Sequence, residues 1–337
     1  MYFIIVYNIK SGVSPSGKAT VSESVMRWFE PNHPSQHKII IIKQGEISFF
    51  YVFNRELLDK IRHNFYNHNM KKNILVNINK GYIRHFLTTM NSLSVNNPKS
   101  EFDVYVMHSN LEESDKEYIK TKIADNINPI YIYMDESLFK GAPTVKRYPY
   151  EIYYRIFAPI MLPKELDRVM YIDCDLVVHK NIDPLYNMSF QGNYFVACTQ
   201  IRGFMQWFNR IRLTVGKDYT YINTGVMLIN LKELREVINV DEIFKFIRRN
   251  GWRMCLYDQD VIFKFFGNKI RLIDARIYNL SDRLIMFHNK FYRSKYKIDK
   301  DWVENNNMII HYLGKNKPWK DNYKGILKDY YIKYKVE

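Results

Sequence analysis

Two carboxylates, Asp173 and Asp175, stand one residue apart directly after an apolar run that ends at Ile172. In an extended chain, residues i and i+2 point to the same side, so both side chains can face one ion. Carboxylate oxygens suit Mg²⁺ or Mn²⁺, and such ions usually also hold the phosphates of a substrate. Taken alone, the pair fits a strand that ends in a polar turn better than a metal site. The choice between these two interpretations therefore depends on residues elsewhere in the chain.

Three further segments place polar side chains beside apolar runs. They are residues 221–231 with Asn223-Thr224-Gly225, then Asp258-Gln259-Asp260, and residues 311–319 with His311, Gly314 and Lys317. Each has a purely structural interpretation. The first would be a turn that opens onto a buried strand. The second would be an exposed helix start with aspartates at the positive end of the dipole, and the third a satisfied histidine in the core or at the surface.

Predicted strands and helices, which must position these segments, alternate along the chain. Apolar periodicity predicts strands over 74–78, 102–107 and 129–133, and helices over 82–93, 114–123 and 150–158. Further strands follow around Phe195 and over 226–229, and Ser114 with Glu117 has the spacing of a capping box. Strands that alternate with helices imply a mainly parallel, doubly wound α/β sheet, in which ligands bind beyond the carboxyl ends of the strands.

The acidic pair and the three other segments resemble, in order and in sequence, the family 8 glycosyltransferases. Arg155 within Tyr153-Tyr154-Arg155-Ile156 and the loop Asn79-Lys80-Gly81-Tyr82 also match that family. The resemblance covers roughly residues 72–319. It implies an α/β GT-A fold, in which helices flank a Rossmann-like, mainly parallel sheet. A single nucleotide-sugar-binding domain would end in a C-terminal helical tail.

The resemblance also assigns a metal site. Asp173 and Asp175 would supply oxygen ligands and His311 a nitrogen ligand, a donor set that favours Mn²⁺ over Mg²⁺. The ion would neutralise a leaving diphosphate as a Lewis acid.

The remaining site residues divide, by the same resemblance, between the sugar and the rest of the donor. Asp258 would bond the sugar hydroxyls, Gln259 would lie near the anomeric carbon, and Asn223 would lie near the donor or acceptor sugar. The donor-binding residues would be Asn79, Tyr82, Arg155, Asp173, Gly314 and Lys317. Of these, Tyr82 is available to stack on uracil, Gly314 lets the backbone approach closely and Lys317 offers a point charge to the diphosphate. Trp319 would pack to fix the loop.

Three positions depart from the usual residues of the family. Many relatives have an acidic residue in place of Asn79, Asn in place of Phe263, and an acidic residue near the position of Gln200. These changes fall around the sugar and acceptor, so they affect the identity of the donor more than the fold.

The implied function is a retaining, Mn²⁺-dependent transfer of glucose or galactose from a UDP-sugar to a hydroxyl of a glycan or glycolipid, as in the synthesis of bacterial surface polysaccharides. The alternative is a nucleotide-sugar-binding protein without transferase activity. How the configuration is retained stays open between a double displacement, which needs a nucleophile, and a front-face route.

Composition limits the partners and the compartment. The chain has 337 residues, a net charge of +15 and no apolar run near the ~20 residues needed to span a bilayer. Its three scattered cysteines and the lack of a secretory signal suggest the cytoplasm. The charge favours anionic partners, but no nucleic-acid-binding motif accompanies it, so none is expected. The aromatic and basic tail over 320–337 either lies on the inner face of the membrane or packs as a helix on the domain.

The first 69 residues are organised differently from the rest. Trp28-Phe29-Glu30-Pro31 back-translates to a string that resembles the T-arm of a transfer-RNA gene, and Met70-Lys71-Lys72 resembles a natural start before a first strand. Residues 1–69 are therefore either upstream sequence read from a misplaced start or a genuine extension. The catalytic domain is expected over 70–319.

Overall fold

The computed structural model describes residues 37–44, 47–54, 71–143, 150–201, 203–291 and 296–336. The chain forms two units, Met1–Met70 and Lys71–Glu337. In the first, strands β1 (His37–Gln44) and β2 (Ile47–Asn54) pair antiparallel. The hypothesis of a misplaced start concerns residues that lie mostly outside the described ones, and it stays a hypothesis.

The second unit contains a seven-stranded sheet and a two-stranded sheet. Its strands are β3 (Lys71–Asn77), β4 (Glu101–His108), β5 (Ile127–Tyr133), β6 (Arg168–Ile172), β7 (Leu176–Val178), β8 (Phe195–Cys198), β9 (Asn223–Asn230), β10 (Ile270–Leu272) and β11 (Ile309–His311). The order across the large sheet is β10-β8-β9-β6-β3-β4-β5, and β9 alone runs antiparallel to its neighbours. The predicted mainly parallel α/β sheet is confirmed.

Helices and helical turns connect these strands. The α-helices are α1 (Ile83–Asn96), α2 (Glu113–Lys122), α3 (Glu151–Tyr154), α4 (Ala158–Met161), α5 (Asp183–Tyr186), α6 (Gly203–Leu213), α7 (Leu231–Val237), α8 (Val240–Asn250), α9 (Tyr257–Phe266), α10 (Ala275–Tyr278), α11 (Asp282–Phe291), α12 (Lys300–Asn306) and α13 (Lys328–Tyr334). Short 3₁₀ turns occupy Lys80–Tyr82, Glu136–Phe139, Arg155–Phe157 and Gly251–Arg253.

Both faces of the large sheet are buried. Along β3, Ile74 and Val76 enter one apolar cluster while Leu75 enters another on the opposite face. This alternation follows from the two-residue period of a strand, and the apolar run reads as continuous because helices cover both sides.

Two local predictions need correction. The predicted helix over 150–158 is α3, a 3₁₀ turn and α4 in succession. The capping box of α2 is formed by Glu112 and Asp115 instead of Ser114 and Glu117, because the N-cap residue lies two positions earlier than predicted.

The C-terminal tail packs on the domain. Tyr330, Tyr331 and Tyr334 of α13 are buried in a cluster with Val177 and Ile310 of the small sheet. The packed-helix alternative is therefore confirmed, and these rings are not available to a membrane. Within the described parts of the chain, none of the helices has the length and apolar character to cross a bilayer.

Candidate active site

The two aspartates and the distant histidine meet because of strand pairing. Asp173 follows β6, Asp175 precedes β7, and His311 ends β11, which pairs antiparallel with β7. One ligand atom from each of the three residues lies within 4.8 Å of the others. His311 Nε2 is 3.0 Å from Asp175 Oδ1 and 3.6 Å from Asp173 Oδ2. Two carboxylates and one imidazole nitrogen are a donor set that fits Mn²⁺.

Strand β9 approaches this cluster through a glycine. Asp173 N–H donates to Gly225 O at 2.9 Å. A Cβ atom on Gly225 would lie within 3 Å of the side chains of both Asp173 and His311. Asn223-Thr224-Gly225 was expected to be a turn, which is wrong because β9 starts at Asn223. Since β9 is antiparallel, its first residues reach the edge at which β6 ends.

Arg155 is buried and ties three parts of the site together. Its Nη2 lies 3.1 Å from Asp173 Oδ1, its Nη1 donates to Thr224 O at 3.0 Å, and its Nε lies 3.3 Å from Asp258 Oδ2. The guanidinium carbon is 4.2 Å from the centre of the Tyr171 ring. Burial opposes its charge, but Asp173, Tyr171 and Asp258 together outweigh burial and raise the pKa of Arg155. Arg155 therefore lies in the interior of the site and not on the outer surface of a helix.

Asp258 and Gln259 lie in the first turn of α9. The Asp258 carboxylate is buried and accepts a hydrogen bond from Thr224 Oγ1 at 2.6 Å. Burial raises the pKa of Asp258, although Arg155 stabilises its charged form. The predicted helix start is confirmed. The prediction that this turn is exposed is wrong, because it packs against β9 and Arg155.

Lys317 directly contacts Asp175, one carboxylate of the cluster that could hold a metal ion. Its ammonium group pairs with Asp175 and donates to Tyr312 O at 2.6 Å. Burial favours the neutral acid, yet Lys317 and His311 outweigh it and hold the pKa of Asp175 well below its usual range. Gly314, in the same loop, has φ of 79°, a conformation that favours glycine.

Trp319 fixes the end of this loop, as predicted. Its ring stacks on His85 of α1 with centroids 3.7 Å apart, and it also contacts Tyr331 of α13. The Lys317 ammonium lies 5.5 Å from the Trp319 ring centre. The indole therefore joins the loop to two helices.

All predicted site residues line one cleft. They are Asn79, Tyr82, Arg155, Asp173, Asp175, Asn223, Asp258, Gln259, His311, Gly314 and Lys317. The same cleft is lined by Asn77 and Glu151, which the sequence analysis missed. Asn77 Oδ1 and Glu151 Oε2 are buried, and neither has a hydrogen-bond partner among the described residues. The position of Asn77 at the carboxyl end of β3 could have indicated it; Glu151 gave no comparable indication.

Solved structures share this fold. A structure of the galactosyltransferase LgtC in complex with donor and acceptor sugar analogs aligns with a TM-score of 0.64 at 19% identity, covering 78% of this chain and 94% of that one. An active-site mutant of LgtC aligns with a TM-score of 0.65 at 18% identity over the same shares. The chain therefore has the GT-A fold of glycosyltransferases, as expected.

The family follows from the sequence match. Residues 73–323 match the model of glycosyl transferase family 8, and the chain belongs to this family of glycosyltransferases. Among its relatives, the lipopolysaccharide 1,3-galactosyltransferase of Salmonella typhimurium is 24% identical over 74% of this chain and 73% of that protein. The lipopolysaccharide 1,2-glucosyltransferase of Escherichia coli is 24% identical over 68% of each.

Proposed function

We propose that this glycosyltransferase moves glucose or galactose from a UDP-sugar to a hydroxyl of a bacterial surface glycan or lipid-linked sugar, with Mn²⁺ preferred over Mg²⁺ and the anomeric configuration retained. The observation that carries the proposal is the Asp173–Asp175–His311 cluster with Lys317 beside it, in the same cleft as Asp258 and Gln259. The catalytic domain is assigned to residues 70–319.

The metal end of the cleft suits a diphosphate. A divalent ion held by the three ligands would neutralise the charge that the diphosphate gains as its bond to the sugar breaks. Lys317 lies within reach of the same position, since its ammonium contacts Asp175. Arg155 holds Asp173 and Asp258 in place, so the carboxylates need not reorganise during transfer.

The nucleoside end of the cleft suits a ligand that donates hydrogen bonds. Asn77 Oδ1 and Glu151 Oε2 are buried acceptors that line the cleft beside Asn79 and Tyr82. Buried polar atoms cost free energy unless they are paired, and uracil N3–H or a ribose hydroxyl would pair them. Tyr82 is 38% exposed and offers its ring for stacking.

The side chains expected to surround the sugar favour a front-face route over a double displacement. The Oδ2 atom of Asp258 already accepts from Thr224 and lies beside Arg155, which makes it a poor nucleophile. In the proposed step, the acceptor oxygen bonds to the anomeric carbon on the face that the phosphate leaves. The electron pair of the broken bond goes to the phosphate oxygen, and that phosphate takes the acceptor proton.

The names of the relatives support the choice of hexose and acceptor. They are a lipopolysaccharide galactosyltransferase and glucosyltransferases, and LgtC was solved with donor and acceptor sugar analogs. A nucleotide-sugar-binding protein without transferase activity remains the alternative, because Asn79 and Gln200 stand where many relatives have acidic residues.

The test is a screen of UDP-glucose and UDP-galactose for release of UDP, run with Mn²⁺, Mg²⁺ or a chelator. We expect Mn²⁺-dependent release that Asp175→Asn lowers at least 100-fold, because a ligand of the ion is lost. Asp218→Asn, on an exposed aspartate outside the cleft, is the matched control and should be unaffected. Donor binding without any turnover would favour the binding protein, and turnover that survives the chelator would contradict the metal assignment.

A further inference from the structure

A buried chain of hydrogen bonds ends on the metal-ligand histidine. Gly225 N–H donates to Asn223 Oδ1 at 3.2 Å, and Asn279 Nδ2 donates to the same oxygen at 2.9 Å. Asn279 Oδ1 then lies 2.9 Å from His311 Nδ1. Asn279 is fully buried, and its backbone oxygen accepts from Gln200 Nε2.

The direction of every bond in this chain follows from its first member. A backbone N–H can only donate, so Asn223 must turn its oxygen toward Gly225. Asn279 must then offer its NH₂ group to that oxygen, which leaves its own oxygen toward His311. A carbonyl oxygen only accepts, so His311 Nδ1 has to carry a proton. With the proton fixed on Nδ1, Nε2 is the nitrogen left to bind an ion, in place of the hydrogen bond that it forms with Asp175 Oδ1 at 3.0 Å in this structure.

We propose that Asn279 is a positioning residue that fixes the tautomer and the ring orientation of His311 for metal binding. The part that concerns the metal rests on the proposed function, whereas the tautomer itself does not. Removing a residue that hydrogen-bonds to a metal ligand typically lowers metal affinity by roughly 10–100-fold.

The tautomer is tested in the metal-free protein by ¹⁵N NMR of the histidine rings, with His311→Gln to assign the signal. We expect the Nδ1 of His311 to be protonated in the unmodified chain, and Asn279→Ala to lower the protonated fraction of Nδ1, because Nε2 keeps Asp175 as its acceptor. An unprotonated Nδ1 in the unmodified chain overturns the inference, whether or not the protein binds metal.

The consequence for the metal is tested by Mn²⁺ titration followed by electron paramagnetic resonance. Asn279→Ala should raise the Kd for Mn²⁺ by roughly 10–100-fold, and Asn279→Asp, which keeps an acceptor for Nδ1, should restore much of the affinity. Asn306→Ala, on an exposed helix position, is the control and should bind normally. If the unmodified chain binds Mn²⁺ and Asn279→Ala binds equally well, the positioning role is wrong while the proposed metal site stands.

A second, independent observation concerns helix α6, whose apolar side chains face solvent. Phe204 is 70% exposed, Trp207 54% and Ile211 58%, and their spacing puts them on one face of the helix. The inward face instead carries the buried polar residues Gln206 and Asn209. The amphipathic pattern is thus reversed with respect to an ordinary surface helix.

The helix cannot turn to bury this face. Gln206 Nε2 donates to Tyr221 O at 2.8 Å, and Tyr221 N–H donates back to Gln206 Oε1 at 2.7 Å. Arg210 Nε donates to Tyr219 O at 2.9 Å. These side chains hold the polar face against the segment that leads into β9, so the aromatic face stays outward.

Size and charge indicate what covers the face. Its three aromatic rings, with Phe208 as the third, expose on the order of 300 Å², within the range that marks an interaction site. Of the two charged residues of α6, Arg212 pairs with the buried Asp260 carboxylate, which leaves the charge of Arg210, and the whole chain carries +15. An exposed aromatic face on a chain with this excess of positive charge suits the surface of an anionic membrane.

We propose that α6 lies on the surface of an anionic lipid bilayer and is the peripheral anchor of this protein, in place of the C-terminal tail. The anchor is joined to Tyr221, two residues before Asn223 of the cleft. Under the proposed function, a lipid-linked acceptor would therefore be held close to the sugar site, but vesicle binding does not depend on that function.

The test is flotation of the full chain with vesicles of phosphatidylcholine containing phosphatidylglycerol, in the absence of donor and acceptor. We expect binding that falls at least tenfold in the triple variant Phe204→Ser, Trp207→Ser and Ile211→Ser, and in vesicles of phosphatidylcholine alone. Trp252→Ser, at a ring that is 85% exposed outside α6, should bind normally.

Equal flotation of the triple variant overturns this second proposal. So does a dimer, measured by sedimentation, that the triple variant abolishes, because the face would then cover a second copy. Release of UDP should be unchanged in the triple variant, so loss of vesicle binding and failure of the proposed function remain distinguishable.

Discussion

At the scale of single residues, Gly225 sets how closely β9 can approach the ion ligands. We expect Gly225→Ala to weaken Mn²⁺ binding by at least tenfold, because the added methyl group would overlap both Asp173 and His311. Isothermal titration with Mn²⁺ measures the change. Gly203→Ala introduces the same methyl group where nothing lies within 4 Å, and its affinity should be unaltered. An unchanged affinity in Gly225→Ala would mean that β9 yields without moving the ligands.

The members of the acidic and histidine cluster could be predicted from the sequence, whereas the residues that hydrogen-bond to them could not. Asp173, Asp175 and His311 were assigned correctly to one cluster because the family motif preserves their order. Asn279 lies 32 residues before His311 and carries no local pattern, since its role arises only when distant segments pack together.

At the scale of elements, Asp260 joins α9 to α6. Its buried carboxylate accepts from Arg212 at 2.6 and 2.8 Å, from Tyr221 Oη at 2.7 Å and from Cys255 N–H at 2.7 Å. We expect Asp260→Ala to lower the free energy of unfolding by about 3 kcal/mol, because the arginine would stay partly buried without its counter-charge. Urea unfolding measures the loss.

A matched variant separates this effect from the loss of any aspartate. Asp218 is exposed, so Asp218→Ala should change the free energy of unfolding by less than about 0.5 kcal/mol. If both variants unfold at the same urea concentration as the unmodified chain, the buried pair does not hold the two helices together.

The elements themselves were largely predictable because each strand repeats an apolar pattern within its own residues. The direction of β9 was not, since Asn223-Thr224-Gly225 has the composition of a turn and the reversal depends on pairing with β6 and β8. The two-stranded sheet of β7 and β11 was missed for a similar reason, because strands of three residues carry almost no periodicity.

At the scale of the whole molecule, His85 links α1 to the C-terminal segments. It stacks on Trp319, and its Nδ1 lies 2.7 Å from Tyr331 Oη. Burial lowers the pKa of His85 to about 4, from 6.5. Between these two pH values the unfolded chain binds more protons than the folded one, so the stability that the neutral ring provides is lost as the pH falls.

This linkage predicts a difference between the unmodified chain and His85→Gln. On going from pH 7.5 to 4.5, the unmodified chain should lose about 1 kcal/mol more of its free energy of unfolding than the variant, after allowance for the partly exposed ring. Urea unfolding at both pH values measures the difference, and equal losses would show that His85 does not titrate with folding.

Under the proposed function, the pairing of Asp175 with His311 also determines when the chain can first act during its synthesis. The two residues are 136 positions apart. A ribosome that adds ~5–20 residues per second needs roughly 7 to 27 s to pass from one to the other. A nascent chain therefore carries the aspartates long before their histidine, and α13, which closes around Trp319, follows later still. Under the proposed function, products that terminate before His311 would lack one of the three proposed ion ligands and would be inactive.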